Sequence, residues 1–170
     1  MAIKLDNISE IHDLRMTYWA DSGISLEKMK GRLDRQAVQY DIPLKTELTF
    51  VSTGMFQKEK AIELSHQKDR RFQKFVIRLT KSAMPKCLDV RVYSNGAGLT
   101  GRKAGQEYIS RTRKAAAHDL MHGNAAAGLG GAFGAMIGGA MNGKKVKAKD
   151  MENEENWIDS LIMLYGSVFY

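Results

Sequence analysis

The chain has 170 residues, of which 44% are hydrophobic and 26% charged, enough for one domain with a substantial core. Sixteen glycines against two prolines argue against a low-complexity disordered chain, in which both are usually abundant. The single cysteine, Cys87, excludes an internal disulfide and an all-cysteine zinc site. Together with an N-terminus that has no apolar signal region, it predicts an intracellular, cytoplasmic protein.

The formal net charge of +7 is unevenly distributed. Residues 45–94 carry +6, residues 95–124 carry +3 and residues 144–149 carry +4, whereas the tail from residue 150 carries −5. Positive charge of this size fits an anionic surface, either nucleic acid or acidic lipid, and solubility alone is an equally simple explanation.

The first 40 residues predict two amphipathic helices. Over 8–20, Ile8, Ile11, Tyr18 and Trp19 lie near one face of a helix. Over 25–39, Ser25 is a suitable N-cap and the apolar residues then recur at spacings of three and four. These are Leu26, Met29, Leu33 and Ala37.

From residue 46 the apolar period changes from 3.6 to 2, which predicts four antiparallel strands in a meander over 46–93. The alternating apolar residues are Leu48 and Phe50, then Ile62 and Leu64, then Phe75, Ile77 and Leu79, and last Leu88, Val90 and Val92. We expect one apolar face, and one face that carries Lys and Arg.

The remainder predicts a flexible hinge at 95–102, a basic helix at about 103–122, and a last amphipathic helix after a charged linker. That helix is marked by Trp157, Ile158, Leu161, Ile162 and Tyr165. We therefore expect an α+β recognition domain over 1–94, the hinge, and a helical part over 103–170.

Residues 123–143 read GNAAAGLGGAFGAMIGGAMNG, an uncharged run that holds eight of the sixteen glycines. As a helix it would span about 31 Å, close to the hydrocarbon thickness of a bilayer. Small residues recur every four positions, which would form a flat ridge that another helix can approach closely. The pattern resembles the glycine zippers of membrane-inserting and oligomerising proteins, and the composition is similar to that of viral fusion peptides. The ridge residues are Gly130, Gly134 and Gly138, with Gly131, Ala135 and Gly139 beside them.

The hydropathy of this run is weak for a lone transmembrane helix. Only Leu129, Phe133 and Ile137 favour insertion strongly, by roughly 0.3 to 0.6 kcal/mol each. A packed pair or oligomer in a membrane, a glycine-packed helical contact in a soluble protein, and a disordered linker all remain open. Basic residues on both sides fit anionic headgroups and favour the first alternative. They are Arg111, Arg113 and Lys114 before the run, and Lys144, Lys145, Lys147 and Lys149 after it.

Two imidazoles, His118 and His122, lie four residues apart, which places them on one helix face at metal-ligand spacing. The sequence HDLMH resembles the HExxH pattern of zinc peptidases, with Asp119 in place of the glutamate. Asp is one methylene shorter and would reach a zinc-bound water less well as a base. A solvated histidine pair is the simpler interpretation, and we predict no metal and no cofactor.

Basic and aromatic residues also alternate around the second connection of the predicted sheet, a pattern that can follow a nucleic-acid backbone and stack bases. They are Arg70, Arg71, Phe72, Lys74, Phe75 and Arg78. Phe75 shares a face with Ile77 and Leu79, however, and this position predicts a core residue. Cys87 would need an activating histidine to act as a nucleophile, and His66 is the candidate on a neighbouring strand. A buried structural cysteine is the simpler interpretation.

The sequence predicts an α+β protein with N-terminal helices, a four-stranded antiparallel sheet and C-terminal helices. The expected function is non-enzymatic: association with an anionic membrane surface, or self-assembly, through the glycine-rich helix, with the sheet as recognition module. A soluble nucleic-acid-binding protein is the alternative, and a zinc-dependent hydrolase using His118 and His122 is a weaker one. A larger protein assembly would also fit.

Overall fold

The computed structural model describes residues 1–96, 98–99 and 148–169. Its strands are β1 (Ile3–Lys4), β2 (Ile8–Glu10), β3 (Met16–Trp19), β4 (Leu44–Ser52), β5 (Lys58–His66), β6 (Lys74–Lys81) and β7 (Cys87–Asn95). Its helices are α1 (Leu26–Gln39) and α2 (Ala148–Phe169), and short 3₁₀ turns cover Leu5–Asn7, His12–Leu14 and Ala20–Ser22.

The sheet is mixed and has seven strands in the order β1-β4-β5-β6-β7-β2, with β3 also paired to β7. The predicted meander is present as β4 to β7, which pair consecutively and antiparallel. The prediction of a four-stranded sheet was wrong in its count, because three short N-terminal strands extend it. β1 runs parallel to β4 at one edge, and β2 and β3 run antiparallel to β7 at the other.

The predicted helix over 8–20 was wrong. Residues 8–10 and 16–19 are strands, and the turn between them buries Leu14. Ile8 and Ile11 are three residues apart and both buried, which imitates helical spacing, but they are buried by a strand and a turn. After Met16 come the β-branched Thr17 and the aromatic Tyr18 and Trp19, residue types that favour strands. The run pairs residue by residue with β7.

The second predicted helix is confirmed as α1. The Ser25 side chain accepts a hydrogen bond from the Lys28 N–H at 3.2 Å, as an N-cap should. The four predicted apolar positions are the buried residues of the helix: Leu26, Met29, Leu33 and Ala37.

The last predicted helix is confirmed as α2, and it begins well before Trp157 and continues to Phe169. It packs with α1 on the outer face of the sheet, where the main hydrophobic core lies. Two tyrosine hydroxyls join the helix to the N-terminal region: Tyr165 Oη donates to the Leu14 carbonyl at 2.5 Å, and Tyr18 Oη to the Phe169 carbonyl at 2.8 Å.

The inner face of the sheet is polar with a small apolar cluster. Residues 3–8 pass from the β4 edge to the β7 edge and close over this face, so that Ile8, Val51, Ala61, Val76 and Tyr93 are buried together. The face that was expected to carry Lys and Arg therefore also holds an apolar cluster, because the N-terminal strands supply a second layer.

Charged side chains surround that cluster. The buried Arg78 guanidinium donates to the Glu59 carboxylate at 2.6 Å and to the Tyr93 hydroxyl at 3.1 Å. Arg91, directly opposite on β7, pairs with Glu10 at 3.4 Å and with Asp89 at 3.3 Å. The face therefore balances its arginines with carboxylates from neighbouring strands and from β7 itself.

Candidate functional site

The first two turns of α2 meet the loop between β5 and β6 at one corner of the fold. Glu154 is fully buried there, and its carboxylate accepts hydrogen bonds from the backbone N–H groups of Gln73 at 3.1 Å and Leu99 at 2.8 Å. Such charge-assisted bonds to backbone donors compensate for the burial of a carboxylate. We call this arrangement of Glu154, Gln73 and Leu99 the Glu154 clamp.

Gly98 is required by the clamp. Its φ is +58°, and a Cβ added there would lie 2.8 Å from Oε2 and 2.9 Å from Oε1 of Glu154. Glycine is the residue that adopts this backbone conformation without strain and leaves space for the carboxylate. The glycine-rich sequence after β7 therefore allows the backbone to approach a buried acid.

Gln73 connects the clamp to the sheet. Its side-chain amide lies 3.1 Å from each of the carbonyls of Lys74, Asn95 and Gly96. The backbone carbonyl of Gln73 accepts a hydrogen bond from the Trp157 indole N–H at 3.0 Å. The end of β7, the start of β6 and α2 are thus held by one polar network.

His66 lies beside this network, with its ring edge-on to Phe72 and Trp157 at centroid distances of 4.9 and 5.1 Å. Its Nδ1 accepts hydrogen bonds from the backbone N–H groups of Lys68 at 3.2 Å and Asp69 at 2.9 Å, which favours the neutral ring. Burial lowers the pKa of His66 below its ordinary value.

Arg71 adds an ionic link on the surface of the corner. It pairs with Asp69 at 2.7 Å and with Asp150, in the first turn of α2, at 3.3 Å. The hydrogen bond from Arg71 lowers the pKa of Asp69. Because Arg71 is more than half exposed, these pairs contribute little to stability and mainly orient the loop against α2.

Leu99 and the start of α2, which flank residues 100–147, both lie at this corner. Leu99 is bound directly by Glu154, and Ala148 lies six residues before Glu154, about 9 Å along the helix. Leu99 and Ala148, the two described residues that flank residues 100–147, therefore lie near the same corner. This geometry is the strongest functional feature of the described residues.

Most of the sequence-predicted site residues lie outside the described residues. These are the ridge positions Gly130, Gly131, Gly134, Ala135, Gly138 and Gly139, the basic residues Arg111, Arg113, Lys114, Lys144, Lys145 and Lys147, and the histidines His118 and His122. Lys149 is described and is exposed in the first turn of α2. Of the predicted hinge 95–102, the described residues Asn95, Gly96 and Leu99 are held by the hydrogen bonds given above, Gly98 lies against Glu154, and the others lie outside.

The basic and aromatic residues around residue 72 do not form one surface. Phe72 and Phe75 are buried in the main core, which confirms the core assignment of Phe75. Lys74 and Arg78 lie on the inner face and pair with Glu63 and Glu59. The aromatic rings are therefore not available for base stacking.

The structure does not bring the candidate nucleophile Cys87 and its candidate base His66 together. Cys87 is buried at the start of β7, and His66 lies at the other end of the sheet, as the strand register requires. Within the same residues no group of three His, Cys, Asp or Glu side chains could hold a metal ion. A cavity of about 30 Å³ between the sheet and α2 is too small for a cofactor, and its lining is apolar: Leu14, Leu64, Phe75, Val92, Ile158, Leu161, Ile162 and Tyr165.

In the described ranges, neither helix has the length and apolarity needed to cross a bilayer. No protein family, curated protein or solved structure matches this chain.

Proposed function

We propose that this protein associates with membranes or with copies of itself through the glycine-rich segment 123–143, and that the folded part serves as its holder and recognition module. The proposed activity is binding and assembly, and it needs no cofactor.

The observation that carries the proposal is the anchoring of both ends of residues 100–147 at one corner. When the two ends of an inserted segment are held together, the entropic cost of closing the segment grows only slowly with its length. A stable fold therefore tolerates a long insertion. The Glu154 clamp holds the insertion through the backbone at its first end. The described residues form a continuous core of their own. We therefore expect the apolar residues of the insertion to contact another surface.

The composition of the segment supplies the chemistry. Small residues at spacing four permit close helix contact, and the lysines that follow attract anionic headgroups. Each lysine near an anionic surface contributes about 1 kcal/mol, so the four lysines of 144–149 would localise the segment at such a surface. Lys149, exposed at the start of α2, would place the corner itself near the headgroups.

The test compares the wild type with Gly134→Leu. A leucine in the centre of the predicted ridge should separate packed helices and reduce both oligomer mass and the fraction that resists a carbonate wash of membranes. Light scattering after size exclusion gives the mass, and fractionation gives the membrane fraction. Ala140→Leu, which lies opposite the centre of both rows of the predicted ridge, is the matched control and should leave both unchanged.

Deletion of 123–143 distinguishes the proposal from its alternatives. The proposal expects loss of assembly and membrane association, whereas a nucleic-acid-binding protein would retain salt-sensitive RNA or DNA binding. A metallohydrolase would contain stoichiometric zinc that is lost in His118→Ala. Unchanged mass and membrane partition in both Gly134→Leu and the deletion would refute the proposal.

A further inference from the structure

The outer edge of β4 is largely open. β5 pairs with the whole length of β4 on one side, but on the other side β1 pairs only with Val51 and Ser52. Among the described residues, no strand lies beside residues 44–50 on that side. An unpaired strand edge is a template for pairing with another chain.

The hydrogen bonds at both ends of the hairpin show which backbone groups face outward. The Thr53 N–H donates to the Gln57 carbonyl at 3.0 Å, and the Gln67 N–H donates to the Pro43 carbonyl at 2.9 Å. Since bonded pairs alternate along an antiparallel ladder, the odd-numbered residues of β4 face β5. Thr46 and Leu48 therefore direct their N–H and C=O groups to the open edge.

The side chains along this edge are accessible. Leu48 and Phe50 are each 48% exposed although they lie on the apolar face of the sheet. Lys45 and Glu47 lie on the other face, have side chains that are 55% and 54% exposed, and pair with each other at 2.7 Å within the chain. A backbone edge, an apolar row and two opposite charges are thus presented together.

We propose that β4 pairs antiparallel with β4 of a second copy of this chain, about a two-fold axis at Thr46. Because the outward groups alternate, residues that lie opposite each other must both be even-numbered or both odd-numbered, so the axis passes through a residue and not between two residues. With the axis at Thr46, Lys45 of each copy lies directly opposite Glu47 of the other. Leu48 of each copy then lies against Leu44 of the other, which covers part of the exposed leucine.

The alternation also permits an axis at Lys45, Glu47 or Leu48. An axis at Lys45 or at Glu47 would place two like charges directly opposite each other. An axis at Leu48 is the other even-numbered register at the centre of the open edge. It would place the two Glu47 side chains diagonally across the interface and bring the partner strand beside Phe50, next to β1. It also leaves Lys45 without an opposite charge. Opposite charges in direct cross-strand positions stabilise pairing and like charges destabilise it, so the charges select Thr46.

Charge reversal tests this register. Lys45→Glu places two carboxylates opposite each other across the interface, and Glu47→Lys places two ammonium groups opposite each other. Each variant alone should therefore have a dimer Kd raised about tenfold. An equimolar mixture of the two should form a heterodimer that is tighter than either homodimer, since one of its two cross-strand contacts joins two introduced charges of opposite sign and the other joins two native ones. Sedimentation equilibrium of each variant and of the mixture measures these constants.

A cysteine scan provides a second readout. Directly bonded residues across an antiparallel pair have Cα atoms about 5.5 Å apart, within disulfide range. Thr46→Cys should give an intermolecular disulfide under mild oxidation, and Leu48→Cys, the matched control, should not. Native Cys87 is buried and should not compete.

The edge contact is separate from the proposed glycine ridge, and all variants are made in the full chain that also carries Gly134→Leu. A dimer that persists in Gly134→Leu and dissociates in Gly134→Leu/Lys45→Glu supports the edge contact whatever the fate of the ridge. A monomer in Gly134→Leu, unchanged affinity in both charge variants, or a disulfide through Leu48→Cys instead of Thr46→Cys would each overturn the inference.

Discussion

The two faces of the sheet are stabilised in different ways. The outer face is covered by α1 and α2, and its core is apolar and continuous across both helices. The inner face is closed by residues 3–8 and combines five buried apolar residues with a network of arginines and carboxylates. The difference indicates that the outer face supplies most of the stability, because it buries more apolar surface and because the attraction within a buried ion pair is largely offset by desolvation.

The largest loss is expected on the outer face. Leu164 is fully buried in α2, and Leu164→Ala should lower the free energy of unfolding by about 3 kcal/mol through lost burial and a residual cavity. Urea denaturation followed by circular dichroism measures it. Met163→Ala, at a residue that is 55% exposed, is the control and should change stability by less than about 0.5 kcal/mol.

Disruption of the Glu154 clamp should cause the second largest loss in the free energy of unfolding. Glu154→Ala removes the acceptor for two backbone N–H groups and should lower the free energy of unfolding by about 2 kcal/mol. Hydrogen exchange should show reduced protection at Gln73 and Leu99. Exchange at the inner-face residue Val76 should reflect only the global loss, and a selective increase there would contradict the local role of the clamp.

A smaller loss is expected on the inner face. Arg78→Met keeps the apolar stem of the side chain and leaves Glu59, which is about half exposed and can be hydrated. We expect a loss of about 1–2 kcal/mol, less than in Leu164→Ala. A larger loss than in Leu164→Ala would reverse the ranking of the two faces.

The dependence of stability on pH should reflect His66. Because burial lowers its pKa in the folded protein, the unfolded chain binds a proton first as the pH falls. The stability that neutral His66 contributes is fully present above the pKa of the unfolded chain, about 6.5, and is lost as the pH falls from there through the folded pKa. Melting temperatures between pH 7.5 and 5 should fall less steeply for His66→Phe than for the wild type.

The smallest expected effect is a gain in stability on replacing Glu155. Burial, and then the charges of Glu152 and Glu154, raise the pKa of Glu155. When the pKa of a carboxyl is raised in the folded protein, the contribution of that group to stability falls as the pH rises from about 4.5 through the folded pKa. Glu155→Gln should therefore raise the melting temperature slightly at pH 7 and have no such effect at pH 4. An equal gain at both pH values would exclude the ionic explanation.

Local patterns predicted the elements that are long enough to repeat. α1 follows from the Ser25 cap and its apolar spacing, and β4 to β7 follow from alternation over eight or nine residues each. β1 to β3 have two to four residues, too few to establish a period, and pairing with distant strands decides their conformation.

The candidate site was missed for a related reason. The acidic residues of 150–155 have the composition of a solvated tail, yet Glu154 and Glu155 are buried. The donors that stabilise Glu154 belong to Gln73 and Leu99, more than 50 residues away in the sequence. No local pattern encodes that contact, although Gly98 beside a strand end was a signal of close backbone approach.

The two tyrosine hydrogen bonds between the N-terminal region and α2 have a consequence for synthesis, since both join residues 151 positions apart. Ribosomes add about 5–20 residues per second, so the residues after β7 take several seconds to appear. Throughout that interval the apolar outer face of the sheet has no α2 to cover it, and the glycine-rich segment emerges before α2 does. The nascent chain thus exposes two apolar surfaces together, and a chaperone would have most to protect at that moment.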